Sequence, residues 1–219
     1  MKTYFIENRF NYFLIVIVGL MVLSPFYPPI GTPGVFPLLQ LCFTLATVFI
    51  LRTLINNTGI FFLVAAVYFF IFFTNVIVLF YDWHWAHVID ALANKAFIIA
   101  FIVFLQRLLR ELFRSGRVNA DCIKGGICIY FLLGILWALL YRSLFHLDKH
   151  AFAYAADIAP NLFYFSFMTL TTVGYGEIVP VSTVAQMLAS LEAVTGQIFL
   201  AVYIARLLGM HIAAHIKKD

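Results

Sequence analysis

Charge is scarce in this sequence. Asp, Glu, Lys and Arg supply 11% of its 219 residues, while 64% are hydrophobic. An average soluble domain carries about a quarter of its residues as charges, so a free-standing soluble fold is excluded. Cysteine is nearly missing as well. Cys42, Cys122 and Cys128 lie in or beside apolar runs, odd in number and without paired spacing. That pattern predicts small buried residues rather than disulfides or metal ligands. Ser, His and acidic residues are scattered, with no catalytic constellation, so neither an enzyme nor a bound cofactor is expected. Internal repeats and low-complexity segments are also missing. The formal net charge of +4 is small, and nothing points to nucleic acid.

Long apolar runs fill the space that charge leaves. Mean hydropathy is +0.99 and Phe alone occurs 25 times. Runs of about 20 residues, the length that crosses a hydrocarbon core, recur along the chain. Six are expected to span a membrane: Asn11–Ser24, Phe36–Leu54, Ile60–Tyr81, Val88–Gln106, Ile123–Phe145 and Thr183–Met210. The first follows Lys2 and Arg9 as a signal peptide would. No small-x-small cleavage site comes after it, only "SPFYPPIGTPG".

The position of the few charges sets the orientation. With the N-terminus in the cytoplasm, the inner side carries Lys2, Arg9, Arg52, Arg107, Arg110, Arg114, Arg117, Lys124, Lys217 and Lys218. The outer side carries only Arg142 and Lys149. This positive-inside bias predicts a multi-pass protein of the cell membrane with both termini cytoplasmic. Trp83 and Trp85 fall at the expected outer interface.

Three regions follow. Residues 1–106 hold four spans joined by short loops. Residues 107–121 form a basic stretch whose Leu108, Leu109, Leu112 and Phe113 recur at helical spacing, as in a linker helix lying on the membrane surface. Residues 122–219 hold the last two spans and a long connection. Within that connection "LFYFSFMTL", Leu162–Leu170, is apolar but too short to span. Asp157 is expected to cap it and Pro160 to sit in its first turn. Thr183 with Gln186 reads as a capping box for the last span. The short helix is therefore expected to dip in from outside and return. A re-entrant segment survives only where protein or a water-filled cavity surrounds it. Gly174 and Gly176, alternating with Val173 and Tyr175, permit a backbone that turns successive carbonyls to one side.

At this point the residues match a family. "TTVGYG" at Thr171–Gly176, within "YFSFMTLTTVGYGEIVP" at Tyr164–Pro180, resembles the potassium-channel signature. "LEAVTGQIFLAVYIARLLG", Leu191–Gly209, resembles the inner helix of bacterial members. The first four spans match six-span channels in layout. The resemblance implies an all-α integral membrane protein with six transmembrane helices, and a re-entrant pore helix and selectivity-filter loop between the fifth and sixth. It implies that Thr172, Val173, Gly174, Tyr175 and Gly176 form the filter, with K+ coordinated at Thr172 to Tyr175. One loop per chain then requires a homotetramer in membrane lipid. Glu177 departs from the usual Asp, which bears on the hydrogen bonds behind the filter.

Two residues of the last span have two readings each. Gly196 is a gating hinge or a close-packing position; under the first, Gln197, Ala201 and Ile204 line a cavity. Glu192 braces the short helix near Ser166 or Thr169, or it titrates in a gate. His211 with His215, and His146 with His150, read as ordinary polar residues of a helix end and an outer loop. About nine residues follow the last span, too few for a cytoplasmic ligand-binding domain. The expected function is passive, potassium-selective conduction with little voltage dependence, because Val88–Gln106 holds only Lys95. Alternatives are a voltage-gated potassium channel and, from another class, a subunit of a coupled potassium uptake transporter.

Overall fold

A computed structural model of the chain describes residues 9–23, 36–54, 58–80, 86–114, 120–155 and 160–216. Seven helices and one small ribbon make up these residues: α1 Arg9–Leu23, α2 Phe36–Leu54, α3 Thr58–Phe80, α4 Ala86–Arg114, α5 Ala120–Leu147, β1 Phe152–Ala153, α6 Leu162–Leu170, β2 Val179–Pro180 and α7 Thr183–Ile216. The fold is thus mostly helical, with a two-stranded antiparallel ribbon that the all-α expectation omitted. Two stretches among the described residues are long and apolar enough to cross a membrane, Ala120–Leu147 and Thr183–Ala213. At about 1.5 Å per residue either exceeds the roughly 30 Å hydrocarbon core. The described residues fall into two compact units, 9–114 with 120–128, and 129–216.

The first unit is assembled from apolar stripes at helical spacing. In α1 the buried positions are Phe10, Phe13 and Ile17; in α4 they are Ile98, Phe101, Phe104, Leu105, Leu108 and Leu112. Edge-to-face and tilted ring contacts connect them in a chain. Tyr68 meets Phe97 at 6.0 Å, Phe97 meets Phe101 at 6.0 Å, and Phe101 meets Phe104 at 6.3 Å; Phe104 then meets Phe13 at 6.0 Å. Such pairs contribute about 0.5–1.5 kcal/mol each beyond area burial. The buried polar residues described here are Thr44 and Thr47, neither charged. Lys95 is exposed. The side chains of Asn75 and Asp90, and Trp83 and Trp85 entirely, lie outside the described residues.

The basic stretch does not begin a helix of its own. Gln106–Arg114 is the last part of α4, which runs unbroken for 29 residues. Nothing in 86–114 would interrupt it, since the segment has neither Gly nor Pro. Leu105, Leu108 and Leu112 continue the buried stripe, while Arg107, Arg110, Glu111 and Arg114 face out. Among the cysteines, Cys122 and Cys128 are buried as expected, but Cys42 is exposed.

The second unit packs α6 against α5 and α7. Its core gathers Tyr141, Phe145, Ala151, Phe152, Leu162, Phe165 and Ala185. The ribbon pairs Phe152 with Pro180 and Ala153 with Val179. The Ala151 carbonyl extends the pairing by accepting from the Val181 N–H at 2.8 Å. Phe152 is thereby held edge-on to Tyr141 and Phe165, at 5.7 and 5.4 Å. On the other side of the unit Tyr130, Phe199 and Tyr203 stack, with centroids 6.1 and 5.6 Å apart.

Gly134 sets the approach of α5 to α6. A Cβ there would lie 2.7 Å from the Phe167 ring. Gly134→Ala is expected to destabilise the protein by about 1–3 kcal/mol through overpacking. Because the obstructing atoms belong to a side chain, Phe167→Leu in the same protein should recover part of the loss. Thermal unfolding in detergent of both variants checks this; an unchanged midpoint for Gly134→Ala would refute it.

Candidate functional site

The site begins where α6 is started and stopped. Its cap is Asn161, whose Oδ1 accepts from the Tyr164 N–H at 3.0 Å. Pro160 therefore sits ahead of the cap rather than in the first turn, and Asp157 lies outside the described residues. An Asn one residue before the helix reaches the orphan N–H that a more distant Asp does not. The start of α7 is likewise shifted by one position from the expected Thr183–Gln186 box. Ser182 caps it, its Oγ accepting from the Ala185 N–H at 3.2 Å, while the Gln186 amide donates back to Pro180 and Val181 carbonyls.

At its other end α6 stops after nine residues, leaving four carbonyls with no partner inside the helix. All four are claimed. The Phe167 carbonyl accepts from the Thr171 N–H at 3.1 Å and from its hydroxyl at 2.6 Å. The Met168 carbonyl accepts from the N–H groups of Val173 at 2.9 Å and Gly174 at 3.2 Å. The Thr169 carbonyl accepts from the Thr172 N–H at 3.0 Å. The Leu170 carbonyl accepts from the Tyr130 hydroxyl of α5 at 3.2 Å. The segment that follows is thus wound back under the helix end by its own N–H groups.

Those bonds impose an unusual backbone on the next residues. Thr172, Gly174 and Gly176 have φ of 59°, 55° and 83°, whereas Val173 and Tyr175 between them do not have positive φ. Glycine takes this left-handed conformation freely; β-branched Thr172 does so at a cost of about 1–3 kcal/mol. Its hydroxyl donates to the Thr171 carbonyl at 2.7 Å. Backbone of one handedness sends successive carbonyls to opposite sides, as in a strand. Alternating handedness turns them the same way. Among the described residues no hydrogen bond reaches the carbonyls of Thr172, Val173, Gly174 or Tyr175. Residues 171–177 are all exposed in the single chain. The N–H groups of Thr171, Thr172, Val173 and Gly174 are spent on α6, and the carbonyl oxygens of 172–175 are left over.

Gly196 of α7 is buried against the near end of this segment. A Cβ there would lie 2.5 Å from the Leu170 carbonyl oxygen and 2.9 Å from its Cδ1. Close packing thus accounts for glycine at this position without a hinge. Gln197, Ala201 and Ile204 are exposed in the single chain.

Glu192 is fully buried one turn earlier. Its Oε1 lies 2.5 Å from the Ser166 hydroxyl of α6, and its Oε2 accepts from the Tyr141 hydroxyl of α5 at 2.6 Å. Ser166 is the contact anticipated for a brace. Tyr141 and Tyr130 went unforeseen, though a tyrosine within an apolar span needs a partner for its hydroxyl, which is the available signal. His146, His150 and His211 are exposed, the His215 side chain is outside the described residues, and among the described residues no group of three His, Cys, Asp or Glu could hold a metal.

Comparison with known proteins gives one match. Residues 127–211, somewhat less than half of the chain, match a family model described as "Ion channel". The matched stretch contains most of α5, α6, the segment 171–177 and nearly all of α7. No curated protein and no solved structure matches the chain. Over residues 127–211 the chain is thus similar to ion-channel domains, and it carries two helices long and apolar enough to cross a membrane.

The Gly196 contact differs from the Gly134 contact in one testable respect, because its nearest obstruction is backbone. Gly196→Ala should lower stability by about 1–3 kcal/mol. Leu170→Ala should not restore it, since the carbonyl oxygen remains. Thermal unfolding of the single and double variants decides the matter; recovery by Leu170→Ala would show that the side chain, not the helix end, sets the fit.

Proposed function

We propose that the chain is one subunit of a homotetrameric, potassium-selective channel that conducts passively. The observation that carries this reading is the segment 172–176. It alternates handedness, directs the N–H groups of Thr172, Val173 and Gly174 into the end of α6, and leaves the carbonyls of 172–175 unclaimed. Four such segments around one axis would make rings of oxygens that replace the hydration shell of a dehydrated cation. One chain supplies one segment, so four chains are required. Thr172, Val173, Gly174 and Tyr175 contribute the carbonyls, and Gly176 closes the turn. The α6 C-terminal ends, with their partial negative charge, favour a cation in the cavity below. In this reading all six long helices span the membrane, α6 re-enters from outside, and both termini are cytoplasmic. Gly196 and Glu192 act by holding α6 against α7.

The test is a planar-bilayer recording of the purified protein under bi-ionic conditions. Potassium and rubidium should permeate and sodium should be largely excluded. Equal permeability of sodium and potassium would sink the proposal. Gly174→Ala should abolish conduction, because a Cβ at φ 55° opposes the left-handed backbone by about 1–2 kcal/mol at each of four subunits.

Voltage should matter little. One charge moved across the field contributes about 2.3 kcal/mol per 100 mV, and steep gating needs three or four per subunit. Up to Gln106, α4 carries one basic residue, Lys95, and neither α2 nor α3 contains an acid to relay a moving charge. The conductance–voltage curve in symmetric potassium should be shallow and unchanged in Lys95→Gln. A steep sigmoid that flattens on that substitution would contradict it.

A further inference from the structure

We propose that Glu192 is held as a neutral acid, the middle link of a one-way hydrogen-bond relay that runs from Tyr141 to the Gly134 carbonyl and positions α6. The inference follows from counting protons. The Ser166 Oγ lies 2.5 Å from Glu192 Oε1 and also 2.7 Å from the Gly134 carbonyl oxygen. Both are hydrogen-bonding distances between oxygens, and each needs a proton. The Ser166 hydroxyl has one to give. The Gly134 carbonyl is an acceptor only, so the second proton must come from Glu192. On the far side the Tyr141 hydroxyl donates its single proton to Oε2. Every atom is then satisfied in one direction: Tyr141 O–H to Oε2, Oε1–H to Ser166 Oγ, and Ser166 O–H to the Gly134 carbonyl.

An ionised Glu192 breaks this count. Three oxygens in a row would share one proton, and one close contact would become repulsive. Nor does a cation among the described residues act on Glu192 to hold the charge. The groups acting on Glu192 are Ser166 and Tyr141, and the other ionisable side chain coupled to it is Tyr130, all three hydroxyls. A buried carboxylate with no positive partner is strongly disfavoured. Glu192 and Ser166 are both fully buried, so water does not complete the count from outside.

The relay crosses α5, α6 and α7 at one level. Ser166 sits midway along α6, which abuts α5 at Gly134 and α7 at Gly196, the last by its terminal carbonyl. Glu192 is thus a positioning residue for the segment 171–176. Only its consequence for conduction rests on the channel reading above; the protonation state does not.

The test compares Glu192→Gln with Glu192→Ala in the full chain reconstituted in lipid. Glutamine offers one acceptor and one donor end, and so reproduces the neutral acid but not a carboxylate that accepts at both ends. Infrared difference spectra of wild type minus Glu192→Gln should show the carbonyl stretch of one protonated carboxylic acid. Glu192→Gln should unfold close to the wild-type temperature and keep its conductance. Glu192→Ala leaves the Tyr141 hydroxyl without its acceptor and should reduce the conducting fraction by about tenfold, roughly the effect of one such unsatisfied group. A difference spectrum showing only carboxylate bands would overturn the proposal, as would Glu192→Gln falling as far as Glu192→Ala. A wild type that conducts nothing would sink the channel reading alone, because the infrared band and the unfolding temperatures are read without it.

Discussion

A helix that stops inside protein leaves four carbonyls to be satisfied, and α6 stops after only nine residues. Left unpaired in a packed interior, each such group costs about 1–3 kcal/mol. The chain answers with the N–H groups and hydroxyl of the residues immediately downstream and, for the last carbonyl, with a tyrosine from α5. Most of what is distinctive in the second unit follows from that demand. Turning the Val173 and Gly174 N–H groups up to Met168 forces left-handed backbone at Thr172 and Gly174. The same turn strips the carbonyls of 172–175 of partners. Helix termination and the unclaimed carbonyls are thus one piece of geometry.

Such a strained segment persists only where its surroundings over-determine it. Three kinds of contact do so here. Glycines at 134 and 196 allow α5 and α7 to meet α6 more closely than any Cβ permits. Hydrogen bonds then fix the depth of α6: Glu192 and Tyr141 at its middle through Ser166, Tyr130 at its end. At the far side the ribbon of Phe152–Ala153 with Val179–Pro180 anchors the return limb, and Ser182 restarts the chain as α7. Each contact is small by itself. Together they hold a nine-residue helix that has too few turns to be stable alone.

The first unit obeys a different rule. It has no buried charge among its described residues, and its interior is aromatic and aliphatic, with Thr44 and Thr47 as the buried polar exceptions. Its basic residues gather on the exposed side of the last turns of α4, opposite a leucine stripe. That distribution suits an amphipathic helix end with long cationic side chains reaching toward a polar phase.

The sequence by itself determined the long helices to within a few residues, because apolar runs of membrane-crossing length leave few other solutions. It determined the short apolar helix and the left-handed glycines, since "GYG" after two threonines is readable as backbone conformation from residue type alone. It also marked Glu192, a lone carboxyl in an oily span. Tertiary structure decided what distance in sequence conceals. Whether Gly196 bends or packs depended on Leu170, and Glu192 found its second partner in Tyr141, 51 residues away. The caps moved to Asn161 and Ser182 because the helices begin where their N–H groups meet a side-chain oxygen, which spacing rules locate only to within a residue or two. The basic stretch joined α4 because a helix continues until something stops it, and only the packed leucines showed that nothing did. Local pattern thus specified the elements. The pairing of hydroxyls, carboxyl and carbonyls across α5, α6 and α7 was set by which faces meet, a property of the fold that no single segment carries.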